Sequence, residues 1–192
     1  MKGKIFNAQE VQAIMSGNKT MFREVIKVQP ANENQVFATV ASSIRNKDIG
    51  THNFINPKAT WEQTKKFKCP YQVGQKIFVK ESFCKSYKDE EKEIRGFGGK
   101  EVVVKWKPAQ HMKQEYSRLT LLIKEIRVEK LDSITPFDCV CEGVWDGRNV
   151  MLGMSGKAIE AFKDAWNATH KKPEEKFEAS PFVWVFSFEV VK

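Results

Sequence analysis

Two cations and one distant carboxylate are the residues of this chain whose types and placing could do chemistry. Lys19 and Arg23 stand four apart just beyond Gly17, where an amphipathic segment stops. Glu142 stands immediately before Gly143. A desolvated lysine beside a carboxylate can take the proton of a hydroxyl or water when its neutral form is populated, and the carboxylic acid can return a proton to a departing amine. In a binding site, lysine and arginine would instead meet phosphate, while glutamate accepts from the exocyclic amine of a base. Each residue also has a plainer reading. Lys19 can be a solvated lysine at a helix C-terminus, where orphan carbonyls favour a cation. Glu142 can be an exposed carboxylate at the end of a helix, disfavoured there by a few tenths of a kcal/mol. The spacing is compatible with both readings, and a separation of this size in the chain offers no local reason to join Lys19 to Glu142.

The elements that must position these residues are legible. Asn7 caps a helix over Ala8 to Ser16, with Glu10 completing a near capping box and Val11, Ile14 and Met15 forming its buried stripe. Gly17 is its left-handed terminator, and Phe22 to Val28 then alternates like a strand. A second helix runs from about Pro136 to Glu142, with Thr135 as cap, Asp138 three residues later and Gly143 as terminator. A third follows Ser155, with Ile159, Phe162 and Trp166 at helical spacing, read as core. Further strands are expected at Gln35 to Val40, Lys76 to Glu81, Glu101 to Trp106, Arg118 to Val128 and Phe182 to Val191. In the last, Phe182, Trp184, Phe186 and Phe188 share one face. Residues 41–68 and 85–100 read as loops or insertions on a compact core. Many strands with few short helices imply a single α+β domain over 1–192, built on a mixed or barrel-like sheet.

Composition narrows the classes. With 41% hydrophobic and 29% charged residues among 192, the chain is neither disordered nor short of material for a core. No apolar run approaches the roughly 20 residues that a membrane helix needs, and no secretory signal is visible, so a cytoplasmic location without membrane association is expected. A net charge of +8 and a pI near 9.3 fit attraction to polyanions. Basic clusters such as Lys65-Lys66-Phe67-Lys68 fit solvated faces as well. Cys69, Cys84, Cys139 and Cys141 form no CxxC pair, and His52, His111 and His170 lie far apart. Free thiols are therefore expected, with no metal and no cofactor.

Ordered motifs across almost the whole length carry a family resemblance. They are Lys4-Ile-Phe-Asn-Ala8, Gly17-Asn-Lys-Thr20, Cys69-Pro-Tyr71 with Gly74-Gln-Lys-Ile-Phe-Val-Lys-Glu81, and Trp106-Lys-Pro108 with His111-Met112 and Ser117-Arg118. Arg127-Val-Glu-Lys-Leu131, Glu142-Gly143, Phe162-Lys-Asp-Ala-Trp166 and Pro181-Phe-Val-Trp-Val185 follow. In these the chain resembles the ASCH-domain proteins common in phages and prophages, which share the PUA-like fold of RNA-binding domains. The regions 31–65 and 86–100 match poorly.

The resemblance implies a PUA-like mixed β-barrel with short flanking helices. It also implies a cleft lined by Lys19, Arg23 and Glu142 that binds RNA, a nucleotide or a modified nucleoside. A characterised branch hydrolyses N4-acetylcytidine to cytidine and acetate, which carries a catalytic lysine to Lys19 and a catalytic glutamate to Glu142. Its nucleophilic threonine lies three residues after the lysine, where this chain has Phe22; Thr20 is the nearby hydroxyl. The superfamily arginine usually lies five after the lysine, whereas Arg23 lies four after and Glu24 occupies the fifth position. Three expectations follow: a nucleobase- or RNA-binding module, an amidohydrolase acting on acylated pyrimidine nucleosides, and a phage protein that binds a host factor through its insertions in the cytoplasm of a bacterial host. None of them fixes an oligomeric state.

Overall fold

The computed structural model describes residues 1–31, 35–39, 51–55, 66–84, 106–145 and 155–191. Their order is β1 (Lys2–Ile5), α1 (Ala8–Met15), β2 (Met21–Val25), β3 (Val36–Thr39), β4 (His52–Ile55), β5 (Lys76–Lys80), β6 (Thr120–Lys130), α2 (Pro136–Cys141), α3 (Ser155–Thr169) and β7 (Phe182–Val191). Five strands form a mixed sheet in the order β1-β5-β6-β7-β2, and β3 and β4 form a separate hairpin. Only the β1–β5 pairing is parallel. The class is α+β.

The alternation of β7 explains why it sits inside. Trp184, Phe186 and Phe188 face a cluster with Phe6, Phe22 and Leu121, and Val183 and Val185 face a second cluster with Leu131, Phe162 and Trp166. The strand is thus buried on both sides, because α2 and α3 cover the face that the hairpin and β1 do not. Phe186 is fully buried, and burial of this kind is worth about 1.5–3 kcal/mol per large side chain.

Three expectations need correction. The barrel does not close: among the described residues, no backbone hydrogen bond joins β1 to β2. These two sheet edges meet through side chains instead, Lys4 Nζ to Glu24 Oε1 at 2.6 Å and the Phe6 and Phe22 rings edge-on at 5.7 Å. Side chains of that bulk hold the backbones beyond the ~4.8 Å of a strand ladder. Second, the stretch read as irregular over 41–68 contains β4, which pairs with β3 and directs Phe54 into the core. Four residues are too short a run for its alternation to stand out. Residues 41–50, 56–65 and 85–105 lie outside the described residues, and with them most of both insertions and of the strand expected at Glu101 to Trp106. Third, β1 went unread as a strand, since two lysines and a glycine mask it. At Gly3 a Cβ would meet the ends of the Phe78 and Lys80 side chains at 2.6 Å, so both would have to shift to admit one.

Candidate functional site

Two helix ends and one strand bring the site together. In α1, Asn7 Oδ1 accepts from the Glu10 amide and Glu10 Oε2 accepts from the Asn7 amide, both at 2.9 Å, which completes the capping box. At the other end Gly17 takes φ +77°, and the Lys19 amide donates back to the Ala13 carbonyl at 3.0 Å. In α2, Thr135 and Asp138 make the matching box, each amide donating to the other side chain at 3.1 Å. Gly143 ends that helix at φ +73°. The two exits are then stitched to each other. Lys19 and Glu142 form an isolated antiparallel bridge, and the Thr20 amide donates to the Cys141 carbonyl at 2.8 Å. A Cβ on Gly143 would lie 3.0 Å from both Ala13 Cβ and Lys19 Cβ, so the left-handed turn and the close approach both demand glycine.

The side chains condense into one charged cluster. Lys19 Nζ donates to Glu142 Oε2 at 2.8 Å and to the Glu142 carbonyl at 2.9 Å, with Glu10 Oε1 at 3.5 Å. Lys19 therefore caps the C-terminal end of α2, and the carboxylate that the helix dipole disfavours is held by cations. Arg23, whose side chain is fully buried, donates from one terminal nitrogen to Glu142 Oε1 at 2.8 Å. From the other it donates to Glu129 Oε1 at 2.7 Å, with Asp138 Oδ2 at 3.3 Å. Arg127 closes the ring, donating to Glu129 Oε2 at 3.0 Å and to Asp138 Oδ1 at 2.8 Å. Three cations (Lys19, Arg23, Arg127) face four carboxylates (Glu10, Glu129, Asp138, Glu142), so the cluster carries a formal charge of −1. Burial works to lower the Arg23 pKa, but Glu142 and Glu129 prevail and hold it above its ordinary value. Burial likewise works to raise the Asp138 pKa, and the Thr135 hydrogen bonds with Arg23 and Arg127 bring it below the ordinary carboxylate value.

Beside this cluster lies a cavity of about 750 Å³, within the size range of small-molecule sites. Lys19, Arg23 and Glu142 border it on one side, and Phe162 and Trp166 of α3 on another. Trp166 is stacked on His170, ring centroids 3.8 Å apart, and the Arg23 guanidinium lies 5.7 Å from the Phe162 ring centre. Among the described residues, two buried donors have no acceptor, Arg23 Nε and Trp145 Nε1, and of these residues only Arg23 borders the cavity. An oxygen of a ligand or water would satisfy such groups.

The structure brings Lys19, Arg23 and Glu142 together across 123 residues of chain. Thr20 is not with them: it is exposed and does not border the cavity. Phe22 does border it, but its ring is buried against Phe6, Tyr71, Phe186 and Phe188 and brings no hydroxyl. Sequence reasoning missed Glu10, Arg127, Glu129 and Asp138 as members of the site. Arg127 and Glu129 share a strand face two apart, a signal for one end of the network. Glu10 and Asp138 carry the local pattern of capping residues, and each performs both tasks. Among the described residues, no group of three or more His, Cys, Asp or Glu could hold a metal, and no helix is long and apolar enough to cross a membrane. Comparisons with protein-family models, with curated proteins and with solved structures found no match.

Proposed function

We propose that the cavity bounded by α1, β2 and α3 binds the base of a modified nucleoside, nucleotide or RNA segment, in a domain of PUA-like, ASCH type. The observation that carries this reading is the buried 2.8 Å contact of Lys19 with Glu142 on the wall of a ligand-sized cavity. It is the pair that the resemblance assigns to the cleft. Phe162 and Trp166 also border the cavity and supply aromatic rings. Because every cation of the cluster already has a carboxylate, the cavity suits the uncharged, amine- and carbonyl-bearing part of such a ligand better than its phosphate.

The same contact supports a second reading, hydrolysis of N4-acetylcytidine-type nucleosides to the free amine and acetate. With phenylalanine at position 22, water is the nucleophile that this reading requires. General-base work by Lys19 starts from the neutral amine, whereas the side chain is here bonded as a donor to two oxygens of Glu142. Binding without turnover is therefore the primary reading. Calorimetric titration with cytidine, N4-acetylcytidine and cytidine monophosphate tests it. Nucleoside binding that Lys19→Ala weakens about tenfold, the size of one lost charge-assisted hydrogen bond, is expected. Absence of binding by any of the three overturns it, and release of cytidine from N4-acetylcytidine above the Lys19→Ala control establishes the hydrolase instead.

A further inference from the structure

A second cavity, of about 530 Å³, lies on the other side of the sheet from α2 and α3, between the β3–β4 hairpin, residues 68–73 and the last part of β6. Its walls are aromatic: Phe37 and His52, stacked at 5.2 Å, with Tyr71 and Trp184. Trp184 meets both Phe37 and His52 edge-on. His52 is fixed by Thr39 at 3.0 Å, and its burial holds the imidazole pKa below the ordinary value, in favour of the neutral ring.

Along this cavity runs a strand edge that has no partner among the described residues. Among the described residues, β5 pairs with β6 only through Thr120 to Leu122, and beyond the irregularity at Ile123/Glu125 β6 pairs with β7 alone. The Leu131 amide donates to the Pro181 carbonyl, which sets the phase of the ladder. Arg127 and Glu129 therefore bond towards β7, while Ile126 and Val128 turn their amides and carbonyls away from it. Both residues line the cavity, and among the described residues those groups have no partner. Alternating donors and acceptors on a rigid edge, set against aromatic rings, fit the hydrogen-bonding edge and the face of a base.

Charge completes the pattern. Lys68 lines the cavity and is exposed, and Lys2 lies 4.7 Å over the Tyr71 ring with its ammonium on the Pro70 carbonyl. Among the described residues neither has a carboxylate within ion-pair distance, in contrast to Lys19 and Arg23. The run Lys66-Phe67-Lys68 is anchored here, since Phe67 bridges to His52 and packs on Phe54.

From the aromatic walls, the open β6 edge and the unmatched lysines we infer a second site, one that takes an unpaired nucleotide of a single-stranded nucleic acid. The base enters between the hairpin and Ile126–Val128, and the phosphates meet Lys68 and Lys2. Arg127 borders this cavity and also belongs to the Lys19 cluster, where Glu129 and Asp138 hold it; the other observations are separate from the Lys19 cavity. Fluorescence anisotropy of the full chain with a labelled single-stranded oligouridylate tests it, together with photocross-linking of the 5-iodouridine analogue and mass spectrometry. Lys68→Glu, at an exposed position that leaves the melting temperature in place, is expected to weaken binding about tenfold and to lower the salt slope by about one. Cross-links fall on peptides carrying Phe37, Tyr71 or Trp184. No oligonucleotide binding at low salt overturns the inference. So does normal binding by Lys68→Glu, or cross-links confined to α3, or an acidic peptide that binds where the oligonucleotide does not.

Discussion

Removing the Glu142 carboxylate leaves two buried cations facing each other across its place. Lys19 would keep Glu10 at 3.5 Å and the main-chain oxygen at 2.9 Å, and Arg23 would keep Glu129 and Asp138. Breaking one partner out of a buried pair costs about 3–5 kcal/mol, far more than the ~0–1 kcal/mol of an exposed pair. The adjoining cavity admits water to the stranded charges, which points to the lower half of that range. Glu142→Ala should therefore lower the urea midpoint by about 1–2 M with an unchanged slope. At ~2–4 °C per kcal/mol for a chain of this size, the melting temperature should fall by about 6–16 °C. Glu142→Gln keeps one acceptor oxygen but points an amide donor at one of the two cations, and should cost about 2 kcal/mol. Lys19→Met combined with Glu142→Leu removes the charge together with its partner and should recover at least about 1 kcal/mol of the Glu142→Ala loss. A Glu142→Ala cost below about 1 kcal/mol would refute the reasoning, because that is the signature of a solvated pair.

Other perturbations probe the same site through its backbone and its titration. Gly17→Ala and Gly143→Ala both force an L side chain to positive φ, at about 1–2 kcal/mol each, but the Cβ at 17 meets open space while that at 143 meets Ala13 and Lys19 at 3.0 Å. Gly143→Ala should cost measurably more by urea denaturation, and equal costs would mean that the two helix exits give way freely. Asp138 has its folded pKa below the unfolded value of 3.8, so its contribution to stability is fully present above that value and is lost as the pH falls through the lower, folded one. Asp138→Asn should lower stability at neutral pH and flatten its fall on acidification below about pH 4. A parallel acid limb in wild type and variant would show that the Arg23 and Arg127 contacts carry no weight.

What was legible in the sequence is what is local. The two capping boxes, Asn7 with Glu10 and Thr135 with Asp138, join residues only three apart, and Gly17 and Gly143 stop their helices at the expected places. β7 runs over the expected Phe182 to Val191 because its alternation is long and aromatic. The β1–β5 pairing could not be read, since it joins residues some 75 positions apart by a parallel ladder that nothing in Lys2-Gly-Lys-Ile announces. Nor could local pattern decide whether Lys19 is solvated or buried. The answer depends on Glu142, which the bridge between the two helix exits delivers from 123 positions away. Resemblance supplied that pairing; periodicity could not. The wider ring of Glu129, Asp138 and Arg127 was missed for the same reason, as β6, α2 and β2 converge only in three dimensions.

The distribution of charge revises what the overall balance implies. A net charge of +8 invites the thought that the buried lysine and arginine await a phosphate. The seven-residue cluster around them sums to −1, however, so the rest of the chain carries 8 − (−1) = +9. An anion entering the Lys19 cavity would have to displace a carboxylate that is already bonded at 2.7–2.8 Å, losing as much as it gains. At Lys68 and Lys2 an arriving phosphate displaces only water and counterions, and that release is what makes nucleic-acid binding favourable and salt-dependent. The two cavities should therefore differ in kind. Binding in the first should be nearly indifferent to salt, and binding in the second should weaken steeply as salt rises. Titrating each with its own probe over the same salt series separates them, and a steep salt dependence at the Lys19 cavity would mean that its ion pairs open to receive an anion.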